Sequence, residues 1–259
     1  MNSIFISRFP SLEYTIAEAV NTLCTNLSFA GDDVKVVMVT SCHASEGKSY
    51  LSMNMMRTMA GLGKNVILVD ADLRRSQIVA QYGLKFETQP AQGLTHYLAG
   101  MCTVEDVIYS TNIENAYLLP AGRTVTSSLS LLTTPRFPAL LHQISSQVDF
   151  VIVDAPPVGV IIDAAEIAKS CDGALFVVGY NQVSRRELLN AKRQIDTAGC
   201  KVLGSVLNNV ELDSYASRKY YNKSYYSYYS SDYYNPPGKK RAPKAKHKTR
   251  SKEAPNSPK

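Results

Sequence analysis

Residues 40–50 read Thr40-Ser-Cys-His-Ala-Ser-Glu-Gly-Lys-Ser-Tyr50. The stretch follows an apolar run, VKVVMVT (34–40), and precedes a segment in which Leu51, Met55, Met59 and Leu62 recur at helical spacing. Gly47-Lys48-Ser49 therefore sits where a strand turns into a helix, the context that makes this triplet a phosphate-binding loop. Backbone N–H groups of such a loop and of the helix start converge on phosphate oxygens. Lys48 adds a point charge for β and γ phosphates, and the hydroxyl of Ser49 is a Mg²⁺ ligand in this reading. The stretch Ala44, Ser45, Glu46, Gly47, Lys48, Ser49 and Tyr50 is the expected nucleotide cradle. The full pattern has Gly five residues before Gly47, where this chain has Cys42, and Ser45 is not glycine either.

Working outward, NVILVD (65–70), AYLLP (116–120), DFVIVDAPP (149–157), GALFVVG (173–179) and KVLGSVLN (201–208) are further apolar runs. They are too continuous for one-face burial and read as strands of a parallel sheet covered on both sides. Helical patterns lie between them. Asp163-Ala-Ala-Glu166 and Ser184-Arg-Arg-Glu187 look like helix-start capping boxes, and Gly199 sits where a helix ends. The methionine stripe of the first helix reads as core. The alternation predicts an α/β fold of the P-loop NTPase type, a mostly parallel sheet with helices on both faces and a disordered C-terminal tail. The expected boundaries are an N-terminal helical arm over 1–33, a P-loop domain over 34–212, a tyrosine cluster over 213–238 and a basic tail over 239–259.

Two strands end in carboxylates: Asp70, with Asp72 beyond it, and Asp154. The carboxyl ends of parallel strands face the same crevice as a P-loop. An Asp at a strand end is often a turn or cap residue, but three with a P-loop make a metal–phosphate constellation. Asp154 then holds Mg²⁺ directly or through water. Asp70 takes a proton from an attacking hydroxyl or helps hold the metal, and Asp72 is a third ligand. Asn208, at the end of the last strand, either pairs with a base edge or is a turn residue.

Composition bounds the rest. The chain has 259 residues, 45% of them hydrophobic, and a net charge of +6. Residues 239–259 hold nine Lys or Arg against one Glu, which leaves −2 over the first 238. The basic character belongs to the tail, so the body gives no reason to expect nucleic acid. The tail suits an anionic surface or a solvated end. Five scattered cysteines without a CxxC pair suit reduced thiols, and four scattered histidines give no metal spacing. No apolar run approaches ~20 residues, and the first ten residues have no secretory apolar core. Nine of the sixteen tyrosines fall within twenty residues: Tyr215, Tyr220, Tyr221, Tyr225, Tyr226, Tyr228, Tyr229, Tyr233 and Tyr234. No folded core requires this run, which has no sustained apolar period.

Together these segments resemble the bacterial tyrosine kinases of capsule and exopolysaccharide synthesis. TSCHASEGKS is similar to their Walker A motif, VILVDADLRR to their second acidic motif and VDFVIVDAPP to their Walker B motif. GLTHYLAG, LLPAG and KVLGSVLNNV also resemble family segments. The resemblance implies an ATP- and Mg²⁺-dependent protein-tyrosine kinase that autophosphorylates its tyrosine cluster, with Lys48, Asp70 and Asp154 as its catalytic residues. It also implies a membrane-embedded activator (the polysaccharide co-polymerase), a cognate tyrosine phosphatase and a place at the cytoplasmic face of the membrane. The family joins subunits into a ring through a Glu and two Args at three-residue spacing. Here Glu18 is kept, but Asn21 and Cys24 stand at the Arg positions, and neither donates a charged fork. Ala44-Ser45 stands where the family has Pro-Gly, and the segment after LLPAG lacks the usual Asn-Pro. Two other readings use part of this evidence. A partitioning-type ATPase switch shares the fold but expects Lys at the position of His43 and needs no tyrosine cluster. A nucleotide-binding adaptor, a degraded kinase, fits the altered loop.

Overall fold

A computed structural model of the chain describes residues 2–31, 33–87 and 91–210. The tyrosine cluster and the basic tail lie outside the described residues. The apolar runs form strands β2 (Val36–Ser41), β3 (Val66–Asp70), β6 (Ala116–Leu119), β7 (Phe150–Asp154), β8 (Gly173–Gly179) and β9 (Lys201–Asn208). They lie side by side in the order β6-β3-β7-β2-β8-β9, every neighbouring pair parallel. Three short strands, β1 (Asn2–Ile6), β4 (Leu84–Phe86) and β5 (Tyr109–Thr111), extend the sheet to nine, with β5 antiparallel to β6 and β4 antiparallel to β1.

Side-chain alternation sorts the sheet into two cores. Val36, Met38, Ile67, Val69, Val151, Val153 and Phe176 face one layer, with α6 (Arg136–Ser145), α7 (Asp163–Ala168) and α8 (Arg185–Thr197). Val37, Val39, Val66, Leu68, Ile152, Leu175 and Val177 face the other, with α1 (Tyr14–Ser28), α2 (Lys48–Gly61) and α3 (Ile78–Tyr82). Leu51, Met53, Met55, Met56 and Met59 of α2 are all buried. The helix is enclosed on most of its girth, and at ~1.5–3 kcal/mol per buried side chain it is firmly held. Leu62, expected on the same stripe, is instead the C-cap residue and exposed.

Three expectations need correction. Residues 1–33 are not a helical arm throughout: Ile4 and Ile6 of β1 point into the core while Phe5 faces out, and β1 pairs with β5. A five-residue strand whose partners lie ~80–110 positions away gives little local signal. β9 is not covered on both sides: it is an edge strand with half-exposed residues, and Leu207 is 52% exposed. Ser184 and Glu187 do form a capping box, but Asp163 does not cap α7. Its carboxylate is taken by Arg74 and Ser128.

Candidate active site

The loop between β2 and α2 is built by its backbone. Gly47 has φ +93°, and an added Cβ would lie 2.0 Å from Nδ2 of Asn208. Left-handed φ and missing space both require glycine there. Ser45, also left-handed at φ +65°, has no such freedom and carries the usual cost of an L side chain in that region, ~1–2 kcal/mol. Cys42 is not among the left-handed positions; its side chain is buried in the core beside the sheet. The absence of glycine at 42 is therefore met by packing, and at 45 by strain.

Glu46 organises this loop, a role its motif position did not reveal. Its buried carboxylate accepts the N–H of His43 (2.6 Å) and that of Gly179 at the end of β8 (2.9 Å). Its carbonyl accepts Nδ2 of Asn208 (2.9 Å). Asn208 is thus committed to the loop through its amide N–H₂, and its position is at the strand end beside the cradle. His43 reaches Glu187 at the start of α8 (3.3 Å), tying the loop to a second helix. Ala44 and Ser45 are exposed at the loop crest, and Tyr50 is half-buried on the first turn of α2, its carbonyl accepting Nδ2 of Asn54.

Lys48 opens α2 and is 8% exposed. Ser49 Oγ donates to Asp154 Oδ2 (2.5 Å), and Ser52 Oγ donates to Asp154 Oδ1 (3.2 Å). Asp70 pairs in register with Asp154 across β3 and β7, and strand parity points both toward the α2 face. Ser76 Oγ donates to Asp70 Oδ2, while Asp70 Oδ1 has no hydrogen-bond partner among the described residues. Ser52 and Ser76 were missed in the sequence. Ser52 lies one turn from Lys48, a detectable spacing, whereas Ser76 is brought to Asp70 only by the fold of the intervening loop.

Burial pushes both carboxylates up. Asp154 rises to about 6, against the favourable charge of Lys48 and the Ser49 hydroxyl. Asp70 is held well above the usual carboxylate range by burial and then by the Asp154 charge beside it. Asp72 is half-buried, contributes repulsion to both, and turns Oδ1 to the N–H of Arg75. Two adjacent buried carboxylates, one with an orphaned oxygen, fit a cation. Among the described residues no three His, Cys, Asp or Glu side chains are grouped to hold a metal by themselves. Mg²⁺ takes one or two carboxylates and completes its shell with waters and phosphate, which the Asp70–Asp154 pair and the Ser49 hydroxyl match.

Comparison with known proteins follows the same lines. A family model described as an AAA domain matches residues 34–195. The chain is 33% identical over 206 residues to the tyrosine-protein kinase CpsD of Streptococcus pneumoniae, covering 79% of this chain and 89% of that one. Among solved structures it is similar to the chimeric protein CapA2B2, with a TM-score of 0.71 and 29% identity over 80% of this chain and 92% of that one. It is also similar to the kinase domain of the Escherichia coli tyrosine kinase ETK, with a TM-score of 0.70 and 28% identity over 75% of each chain. With its nucleotide loop, its two Asp-ended strands and these relatives, the chain belongs to the bacterial tyrosine kinase family of P-loop proteins.

Proposed function

We propose that the chain is an ATP-dependent protein-tyrosine kinase that phosphorylates the tyrosines between Tyr215 and Tyr234 and thereby regulates capsule or exopolysaccharide synthesis. The observation that carries this reading is the meeting, at one end of the sheet, of Lys48 with the buried pair Asp70 and Asp154, in a chain bearing nine clustered tyrosines.

The residues divide the work. Loop N–H groups and Lys48 bind and orient the phosphates of ATP. Mg²⁺, held by Ser49 and Asp154 with Asp72 nearby, supplies charge neutralisation on the phosphates when bound. Asp70, with one oxygen free, accepts the proton of the incoming tyrosine hydroxyl; its raised affinity for a proton suits a base. Asn208 sits beside the cradle and contributes to the nucleotide site through the loop it holds.

A membrane-embedded activator, a cognate tyrosine phosphatase, attachment at the cytoplasmic face of the membrane and assembly of several subunits belong to the same proposal. No described helix is long and apolar enough to cross a membrane. One observation favours the adaptor as a second reading: Ser45 holds a strained turn in the loop that must receive the phosphates. A partitioning-type switch is disfavoured, because His43 occupies its lysine position and is paired with Glu187.

Purified protein with Mg-ATP and a candidate activating segment tests the readings. Phosphotyrosine appearing on the chain supports the kinase. Nucleotide binding without phosphotyrosine supports the adaptor.

A further inference from the structure

We infer that Arg74, Asp163 and Ser128 form a positioning cluster that fixes the loop of residues 71–77, and that phosphoryl transfer depends on it although none of the three touches the reacting atoms. The inference rests on the kinase reading of the site.

Asp163 opens α7, where an acidic residue would ordinarily serve its own helix. It does not: Ile162 is the N-cap, and no side chain caps the helix. The carboxylate is 1% exposed and accepts Arg74 Nε at 2.8 Å, Arg74 Nη2 at 3.3 Å and the hydroxyl of Ser128. Ser128 is the buried first residue of α5 (Ser128–Leu132). Three segments far apart in sequence are thus pinned at one buried charge: the loop after β3, the start of α5 and the start of the helix that follows the Asp154 strand. A two-pronged guanidinium–carboxylate pair fixes orientation as well as distance. The Arg74 side chain is 35% exposed while Asp163 is buried, and an ion pair open to water on one side contributes little net stability, so its use here is geometric.

What it positions is the site. Arg74 lies two residues beyond Asp72 and two before Ser76, whose hydroxyl sits on Asp70. The backbone of the same loop is tied at its start, where Ala71 N–H donates to the Asp154 carbonyl (2.9 Å), and at its middle, where the Leu73 carbonyl accepts Val125 N–H (3.1 Å). Between Leu73 and α3, the Arg74 fork is the side-chain tie from this loop to the helices of the opposite layer. Loss of the fork should therefore be felt through Ser76.

The test compares wild type with Arg74→Lys, which keeps the charge and loses the fork, and Asp163→Asn, which keeps the shape and loses the charge. Lys169→Ala, on the exposed side of the same region, is the control. Expected are a kcat for tail phosphorylation lower by about ten- to a hundredfold, as for a sub-ångström to ångström misplacement, and a KM for ATP within about twofold of wild type. Lys169→Ala should match wild type. Wild-type kcat in both folded variants, or a loss confined to KM, would overturn the inference. Should Asp163→Asn fail to fold, Arg74→Lys and Ser128→Ala carry the same comparison. If wild type transfers no phosphate, the kinase reading falls. Amide hydrogen exchange then decides this inference alone: faster exchange across residues 71–77 in Arg74→Lys, with the rest of the fold unchanged, supports it, and unchanged exchange there overturns it.

Discussion

Asp70 and Asp154 stand in register on adjacent parallel strands, both buried, each given a hydroxyl from a different segment: Ser76 on Asp70, Ser49 and Ser52 on Asp154. Two carboxylates this close resist ionising together. The fold holds them so without a described cation partner on Asp70 Oδ1.

This makes pH a direct probe. The Asp154 carboxyl has a folded-state value of about 6, above its ordinary 3.8. Its contribution to the ligand-free fold is therefore fully present below about pH 4 and lost as pH rises through 6, an amount on the order of 3 kcal/mol. Asp154→Asn should make the ligand-free protein more stable at pH 7 and reduce the fall in its stability between pH 4 and 6, leaving the share due to Asp70. Mg²⁺ needs the ionised form, so the melting-temperature gain from Mg-ADP should shrink below pH 6 in wild type and be absent in Asp154→Asn. Equal pH slopes for wild type and Asp154→Asn would count against the buried pair.

The two left-handed loop positions should respond in opposite directions. Ser45→Gly removes an L side chain from φ +65° and should stabilise the protein by about 0.5–1 kcal/mol, the relief of strain exceeding the added freedom of the unfolded chain. Gly47→Ala meets both a forbidden φ and Asn208 at 2.0 Å. It should break the Asn208–Glu46 bond, destabilise by at least ~1–3 kcal/mol and abolish nucleotide binding. Urea unfolding and calorimetric titration with Mg-ADP measure both.

The missing arginines of α1 are not equivalent. Asn21 is exposed and reaches Glu18 Oε1 at 3.3 Å, but Cys24 is 0% exposed, with Sγ 4.0 Å from the Met55 carbonyl of α2 and its thiol pushed up to about 12 by burial. Asn21→Arg should leave stability within ~0.5 kcal/mol. Cys24→Arg should cost about 3–5 kcal/mol, as an unpaired charge forced into a core does. Chemical denaturation of the two variants separates them, and comparable stabilities would place Cys24 at the surface instead.

How much of this was readable beforehand follows from range. The six parallel strands are apolar runs that announce themselves locally, and Asp70 and Asp154 are legible because they terminate two of them. β4 and β5 have three residues each, and their pairing is decided by partners elsewhere in the sheet. Asp163 was misread because the Asp-x-x-Glu spacing is a local signal, and a distant Arg74 outcompeted it. Glu46 was placed in the cradle by its neighbours in sequence; its role as a brace between the loop and β8 needed the strand order.

The tail, outside the described residues, allows a charge argument from composition. Residues 215–259 sum to +10. Each phosphotyrosine adds about −1.5 to −2, so roughly five to seven phosphates reach neutrality. Unphosphorylated protein should sediment with anionic vesicles at low salt, at about 1 kcal/mol per basic residue near the surface, and release as phosphate accumulates. Binding indifferent to both salt and phosphate count would remove the membrane from the tail's role.

The central claim is that Lys48, Asp70 and Asp154 transfer phosphate to tail tyrosines. Its most direct measurement is intact mass after incubation with Mg-ATP and an activating segment, for wild type, Lys48→Met and Asp70→Asn. Wild type should gain several phosphates, mapped by fragmentation to residues 215–234. Lys48→Met should gain none, and Asp70→Asn should be slower by ~10²-fold or more while still binding nucleotide. A Lys48→Met protein that acquires phosphotyrosine as wild type does, free of any other kinase, would contradict the account.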